Sequence, residues 1–462
     1  MSHVAAEIFK AYDIRGIVGK SLTAETVELV GRALGSEARR RGGTGISIGY
    51  DGRLSGPSFA KALARGIQST GINVIDIGMV ATPMVYFAAY HFSTGSAVMI
   101  TGSHNPPDYN GIKMVIQGET LALEAIQDLK RRIDTDDFLK AEGGTTGSYE
   151  KRDLNDAYIA RIVGDARLSR PMKIVVDCGN GAPGAYAPKL FRAMGCEVIE
   201  LFCDVDGNFP NHHPDPSQPK NLQDVIRTLK ETDAELGLAF DGDGDRLGVV
   251  TKDGEIIYPD RQLMLFAADV LSRVPGGEII FDVKSSRNLF KWIRDRGGRP
   301  TLYKTGHSLI KLKMKQTGAP LAGEMSGHIF FKERWYGFDD ALYCGARLLE
   351  IVSAFTDANT PLKALPNAIS TPELHWKLKE GEPHALVEQL QKNARFDGAT
   401  EVITIDGVRV EYPDGFGLAR ASNTTPVMVL RFEAETDAAL HRIMEDFRRV
   451  LTTAKSDVPL PY

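Results

Sequence analysis

The sequence predicts an α/β protein: three related α/β domains with mixed sheets, then a C-terminal α+β domain. Two observations carry this. First, one pattern recurs: an apolar strand ending in Asp, a Gly/Ser-rich loop, an amphipathic helix, a turn and a second apolar strand. It reads ISIGYDGRLSGPSFAKALARGIQSTGINVIDIG from Ile46, KIVVDCGNGAPGAYAPKLFRAMGCEVIELF from Lys173 and EIIFDVKSSRNLFKWIRDRGGRPTLYK from Glu278. Strands alternating with helices of this length make βαβ units. The copies stand farther apart than the roughly 20–50 residues of a solenoid repeat, so each is a domain rather than a stacked unit. Second, the texture changes from about Pro372. Short strands VITID, VRVEY and VMVLRFEAE alternate with a helix near 382–393, and a last helix follows Thr436. In that helix Leu440, Ile443, Met444, Phe447, Val450 and Leu451 share one apolar face. Polar or Gly/Pro-rich stretches such as 142–149 and 359–366 place the domains at 1–150, 151–253, 254–366 and 367–462.

Composition narrows the function. A chain of 462 residues, 43% hydrophobic, has material for several cores. A net charge of −5 provides no basic field for nucleic acid or an anionic membrane, so a small-molecule partner is expected. The four cysteines, Cys178, Cys196, Cys203 and Cys344, show no CxxC spacing, which argues against a zinc module or a disulfide framework. Residues 1–16 lack the apolar core of a signal peptide, and the most apolar run, 77–90, is too short for a bilayer and contains Pro83. The expected setting is the cytoplasm, with reduced thiols.

Four loops carry chemistry. TGSHNPPDYNGIK, residues 101–113, joins AVMI to IKMVI and is shaped by Gly102, two prolines and Asn110-Gly111. Ser103 needs help to react, and His104 and Lys113 are the nearby groups that could give it. On this loop alone, an ordinary turn serine fits equally well. DGDGDR, residues 241–246, follows the apolar ELGLAF. Asp241, Asp243 and Asp245 cannot crowd together without a cation, and oxygen donors suit a hard divalent ion. An EF-hand fails, because Arg246 stands where its glycine belongs and Lys252 where its bidentate glutamate belongs. Three ligands with a position left open for phosphate point to Mg²⁺. GEMSGH, residues 323–328, sets Glu324, Ser326 and His328 in one turn, a donor and acceptor set suited to sugar hydroxyls. RASNTTP, residues 420–426, combines an arginine fork with neutral donors, a cradle for a phosphate.

Other motifs fail or are weak. GNGAPG, residues 179–184, matches a dinucleotide fingerprint with Glu200 downstream, but no second half of such a domain follows and the aspartates would have no role. Gly19-Lys20-Ser21 lacks the earlier P-loop glycine, where Ile14 stands, and Gly306-His307-Ser308 lacks the closing glycine of a hydrolase elbow, where Ile310 stands.

Taken together, TGSHNP, DGDGDR, GEMSGH and RASNTTP resemble, in order and spacing, the α-D-phosphohexomutase superfamily across essentially the whole chain. GSHNP, GEMSGH and RASNTT are most similar to its bacterial bifunctional phosphomannomutase/phosphoglucomutase branch; the phosphoglucosamine mutases, the alternative, usually carry SASHNP, GEQSGH and SGTEP. The resemblance implies four domains around a central active-site cleft and a role for each loop. Ser103 would be the phosphoserine. Asp241, Asp243, Asp245 and a phospho-Ser103 oxygen would hold Mg²⁺. Glu324 and Ser326 would bind the sugar's 3- and 4-hydroxyls. Arg420, Ser422, Asn423, Thr424 and Thr425 would grip the phosphate not being transferred. Tyr12, Arg15, His104, Lys113, Arg246, Lys284, His307 and His328 would line the same cleft, with Lys113 or His328 as general base and Arg15 assisting.

The implied reaction moves phosphate between O1 and O6 of a hexose phosphate, glucose or mannose, through a hexose 1,6-bisphosphate that is both intermediate and activator. A monomer is compatible with all of this. Because the intermediate must turn over, the fourth domain is expected to hinge over the cleft.

Overall fold

The computed structural model describes residues 4–423 and 425–462. Its first three sheets repeat one plan. In the first, the strand Gly45–Tyr50 is flanked in parallel by Asn73–Met79 and Ala97–Ile100, and Tyr109–Ile116 returns antiparallel beside Ala97–Ile100. In the second, Met172–Asp177 is flanked in parallel by Cys196–Leu201 and Leu236–Phe240, with Leu247–Thr251 returning antiparallel. In the third, Glu278–Asp282 lies between Arg299–Tyr303 and Leu321–Gly323, and Ile329–Phe331 returns antiparallel. The recurring sequence pattern covers the first two strands of each copy; the hairpin made by the last two is the part it did not announce.

The fourth sheet is antiparallel throughout, with Val427–Ala434 and Gly415–Ala421 at its middle. The helix Asp437–Ala454 lies on it and buries Leu440, Ile443, Phe447, Val450 and Leu451, the face expected from periodicity. Gly417 makes room for this, since a Cβ there would stand 2.3 Å from the Phe447 ring. The expected strand VITID is shorter than its pattern. Only Glu401–Ile403 pairs, because the chain turns at Gly407 in the left-handed region (φ 77°), which carries Asp406 out toward the cleft.

One apolar core joins the first three units. The helix Thr82–His91 is buried nearly all round, as its uniformly apolar sequence requires. Its Met84, Val85 and Phe87 pack in the same cluster as Tyr158, Phe191, Phe266 and Leu342, from the second and third units. The opposite face of the first sheet has its own core, with Val27, Leu34, Ile48, Leu63 and Ile112. Among the described residues no helix is long and apolar enough to cross a membrane.

Candidate active site

The repeat explains where the chemistry sits. In each of the first three units the functional loop is the turn between the third and fourth strands: residues 101–108, 241–246 and 324–328. Such strand ends are where α/β sheets place their ligands. The three turns meet, with Ser422, Asn423 and Thr425 of the fourth unit opposite, around a cavity of about 840 Å³. Its wall includes Tyr12, Arg15, His104, Arg246, Lys284, His307, Glu324, Ser326, His328, Arg420, Ser422, Asn423 and Thr425. Ser103, Lys113 and the three aspartates are buried. Thr424 lies outside the described residues.

Ser103 has φ 49°, a left-handed conformation unfavourable for a side-chain-bearing residue, so its surroundings must hold it there. They do. The Arg53 guanidinium, 1% exposed, donates to the carbonyls of Ser103 (2.9 Å), Asn105 (2.6 Å), Pro106 (2.5 Å) and Tyr109 (2.9 Å). Asp51 accepts from Thr101 Oγ1 at 2.8 Å and Gly102 N at 3.2 Å. The Ser103 hydroxyl lies 3.2 Å from Asp241 Oδ2 and 3.0 Å from His104 Nδ1. Burial, with Arg246 and Arg15 nearby, pushes the His104 imidazole well below its usual range, so a neutral ring faces the hydroxyl.

Asp241, Asp243 and Asp245 are fully buried, with ligand oxygens within 4.8 Å of one another. Gly242 permits the packing, because a Cβ there would stand 2.5 Å from the Ser103 carbonyl oxygen. Lys113 Nζ bridges Asp243 (2.7 Å) and Asp245 (2.5 Å), and Thr82 Oγ1 donates to Asp243 at 2.5 Å. Arg246 Nε stands 3.9 Å from Asp241 Oδ2, so two fixed cations face three carboxylates. Burial and the neighbouring Asp245 and Asp243 push the Asp241 carboxyl far above its usual range. Crowded oxygen donors, with Asp243 Oδ1 and Asp245 Oδ1 both lacking a hydrogen-bond partner among the described residues, fit a hard divalent cation.

The sugar loop is equally constrained. Glu324 Oε1 accepts from Gly306 N at 2.5 Å, and Ser326 Oγ stands 3.1 Å from His328 Nδ1. His328 Nε2 lies 3.3 Å from Asp245 Oδ1, which ties the sugar loop to the acidic loop. Burial lowers the affinity of His328 for a proton, but the Asp245 carboxylate outweighs it and the net shift is upward. His307, buried near Lys311 and His328, is pushed well down.

On the far wall, Arg420 Nε pairs with Asp406 Oδ2 at 3.1 Å, and Ser422 Oγ accepts from Thr425 N at 3.3 Å. Tyr12 OH donates to the Thr305 carbonyl at 2.7 Å and accepts from Asn423 Nδ2, joining the first, third and fourth units. Arg15 donates to Asn105 Oδ1 at 2.5 Å and pairs with Asp13. Lys284 is engaged across the cleft by Glu373, at 2.6 Å.

Models of phosphoglucomutase/phosphomannomutase alpha/beta/alpha domains I, II and III match residues 6–140, 156–254 and 258–370, and the C-terminal domain model matches 373–450. The chain belongs to the phosphoglucomutase/phosphomannomutase family. It is 61% identical over 452 residues to a phosphoglucomutase of Neisseria meningitidis, covering 98% of each chain. To a phosphomannomutase/phosphoglucomutase of Pseudomonas aeruginosa it is 57% identical over 458 residues, covering 99% of this chain and 98% of that one. A crystal structure of a phosphoglucomutase/phosphomannomutase family protein from Burkholderia thailandensis superposes with a TM-score of 0.94 at 58% identity, covering both chains completely. The chain is a hexose phosphate mutase.

In this mutase several supporting residues carried no motif signal. Arg53 and Asp51 sit in the first copy of the repeated pattern, and the aspartate that ends the first strand of each copy was the available clue. Asp51 holds the serine loop, and its counterpart Asp282 accepts from Met325 N of the sugar loop at 3.0 Å. Thr82, Asp339 and Glu373 come from segments that carried no motif, and Asp406 from the end of the expected strand VITID. GNGAPG also finds its use: Ala182 N donates to Gly242 O at 3.0 Å, and a Cβ on Gly181 would stand 2.7 Å from that oxygen. Its glycines brace the acidic loop from behind, packed against protein backbone.

Proposed function

We propose that this mutase moves phosphate reversibly between O1 and O6 of hexose phosphates, accepting both glucose and mannose, with phospho-Ser103 as donor and a hexose 1,6-bisphosphate as intermediate. One observation carries the reading: the Ser103 hydroxyl lies against Asp241 beneath a cleft walled by a polyhydroxyl-binding turn and an arginine-bearing phosphate turn. The bifunctional name of the Pseudomonas relative supports the pair of sugars.

In the forward half-reaction the bond between Ser103 Oγ and phosphorus breaks as one forms from phosphorus to the free sugar hydroxyl. That hydroxyl's proton passes to the cleft floor, where His328 is the candidate acceptor and Arg15 assists; Lys113, the other expected base, is held as a cation between Asp243 and Asp245. The bisphosphate then turns over and returns its other phosphate to Ser103. Asp241, Asp243 and Asp245, joined by a phosphoserine oxygen, would hold Mg²⁺. Bound there, it would offset charge on the transferring phosphoryl group. Glu324 and Ser326 hold the 3- and 4-hydroxyls, which glucose and mannose share, so contacts to them do not discriminate at C2. Arg420, Ser422, Asn423 and Thr425 hold the resident phosphate, with Tyr12, His104, Arg246, Lys284 and His307 completing the wall.

Turnover of the intermediate needs space. The fourth unit is tied to the third by the polar contacts Lys284–Glu373, Arg431–Asp260 and Ser286–Glu433 and by a small buried apolar seam of Val283, Phe416 and Leu418, on which a hinge would pivot. We place the enzyme in the cytoplasm as a monomer acting on soluble hexose phosphates. The test follows labelled phosphate. Label on Ser103 should appear in glucose 1,6-bisphosphate and then in both monophosphates, with mannose 1-phosphate behaving alike. Release of the label as inorganic phosphate at a comparable rate, or full activity in Ser103→Ala, overturns the reading.

A further inference from the structure

His307 borders the cavity, yet its Nδ1 is buried and has no hydrogen-bond partner among the described residues. Asp339 Oδ2 lies 3.7 Å from that nitrogen and is likewise buried and unpartnered. A movement of about 0.5–1.0 Å would close the pair to a hydrogen bond. Such bonds are often long before substrate arrives and tighten once it does.

Asp339 is well placed to hold still. Its Oδ1 accepts from Lys311 Nζ at 2.9 Å, and its backbone pairs with Phe330. Lys311 stands four residues after His307 in the helix His307–Thr317, and its Nζ sits 4.3 Å from the centre of the Tyr86 ring. The next residue, Asp340, caps the helix Ala341–Val352 by accepting from Tyr343 N at 2.9 Å. Lys311 thus takes one oxygen of Asp339 and leaves the other open. His328 is the rival claimant, with Nε2 4.0 Å from Asp339 Oδ2. That nitrogen already lies 3.3 Å from Asp245 Oδ1 and 3.3 Å from Arg246 Nε, and Nδ1 lies 3.1 Å from Ser326 Oγ. With both its nitrogens engaged, His328 leaves Asp339 Oδ2 to His307.

A carboxylate only accepts, so the partner nitrogen must carry the proton. Burial, then Lys311 and His328, keep the His307 ring uncharged, and the positive end of its own helix acts in the same direction. An uncharged ring protonated at Nδ1 has a lone pair at Nε2. Such a nitrogen takes a hydrogen bond from a hydroxyl and gives nothing to a phosphate oxygen. We propose that Asp339 is a positioning residue: it holds the Nδ1 proton of His307, so that Nε2 accepts from a ring hydroxyl of the hexose. The inference rests on the cleft binding hexose phosphates and on no particular phosphoryl carrier.

The test uses the full-length protein with ¹⁵N in both ring positions of its histidines, and His307→Asn to identify the signals. Wild-type His307 should be protonated at Nδ1 and bare at Nε2. Asp339→Asn offers Nδ1 an amide donor and should move the proton to Nε2. The same variant should lower kcat/KM for glucose 1-phosphate at least about 10-fold. Among the 2-, 3- and 4-deoxy derivatives, the one lacking the accepted hydroxyl should bring variant and wild type within about 2-fold, while the others keep the full gap. An equal gap on all four sugars, as a packing role would give, or a wild-type ring protonated at Nε2, overturns the proposal. If Asp339→Asn does not fold, the wild-type ring spectrum decides alone. That spectrum is read without turnover, so an error in the phosphoserine assignment would leave it standing.

Discussion

The hydroxyl of Ser103 and the carboxylate of Asp241 stand 3.2 Å apart although 138 residues separate them in the chain. The contact joins equivalent turns of two different repeats. A phosphoryl group on that hydroxyl would arrive beside three carboxylates, which only a cation makes tolerable. The nucleophile and the metal site are therefore one device in two pieces.

Removing the nucleophile should stop the reaction without disturbing the scaffold. Ser103→Ala should lower kcat by more than about 10³-fold in a coupled glucose 6-phosphate assay. Circular dichroism and the thermal midpoint should stay near wild type, since the alanine adds no atom.

Arg53 should matter nearly as much, though it reaches no substrate. Arg53→Ala removes the guanidinium donor from the carbonyls of Ser103, Asn105, Pro106 and Tyr109 and leaves Asp51 without its counter-charge. A loss of about 3–5 kcal/mol in urea unfolding is expected, together with a fall in kcat. Gly102→Ala probes the same clamp from the other side, since its Cβ would stand 2.4 Å from the guanidinium. It should cut kcat while most of the stability survives.

Thr82 supports the metal site from the first repeat. Thr82→Val keeps the shape but removes the hydroxyl that donates to Asp243 Oδ2. The Mg²⁺ concentration for half-maximal activity should rise about 10-fold with little change in kcat at saturating metal. An unchanged requirement would show that Lys113 alone orients Asp243.

Glu373 gives a pH signature. Burial raises its carboxyl pKa, but Lys284, then His375 and Arg431, outweigh this and hold it well below the usual range. A depressed carboxylate contributes stability above its unfolded pKa of about 4.3, and that contribution fades as pH falls toward the folded value. Glu373→Gln should therefore destabilise by about 1–3 kcal/mol at pH 7, less than a fully enclosed pair because a third of its side chain is exposed. The difference from wild type should shrink below about pH 4. A gap of equal size at pH 3 and pH 7 would mean packing, not charge.

Much of this was legible before the structure, for definite reasons. Asp241, Asp243 and Asp245 are legible because like charges at alternate positions have few physical uses. The face of the last helix is legible because a period of 3.6 residues has one geometric meaning. Arg53, Thr82 and Glu373 were not, because their partners come from distant segments: Arg53 wraps a loop about 50 residues on, and Thr82 reaches an aspartate 161 residues away. The strand VITID was over-read because alternation continues past the point where Gly407 turns the chain.

The threefold repeat has a further consequence. A single copy of this βαβ-hairpin unit offers one strand-end turn, too small to hold a nucleophile, a metal site and a sugar subsite at once. With three copies fused through one core, each turn is released to specialise, and selection on one leaves the others intact. The price is that no excised copy can work alone. Activity belongs to the alignment between copies, so substitutions in the shared core, far from any ligand, should be a common route to losing or retuning it.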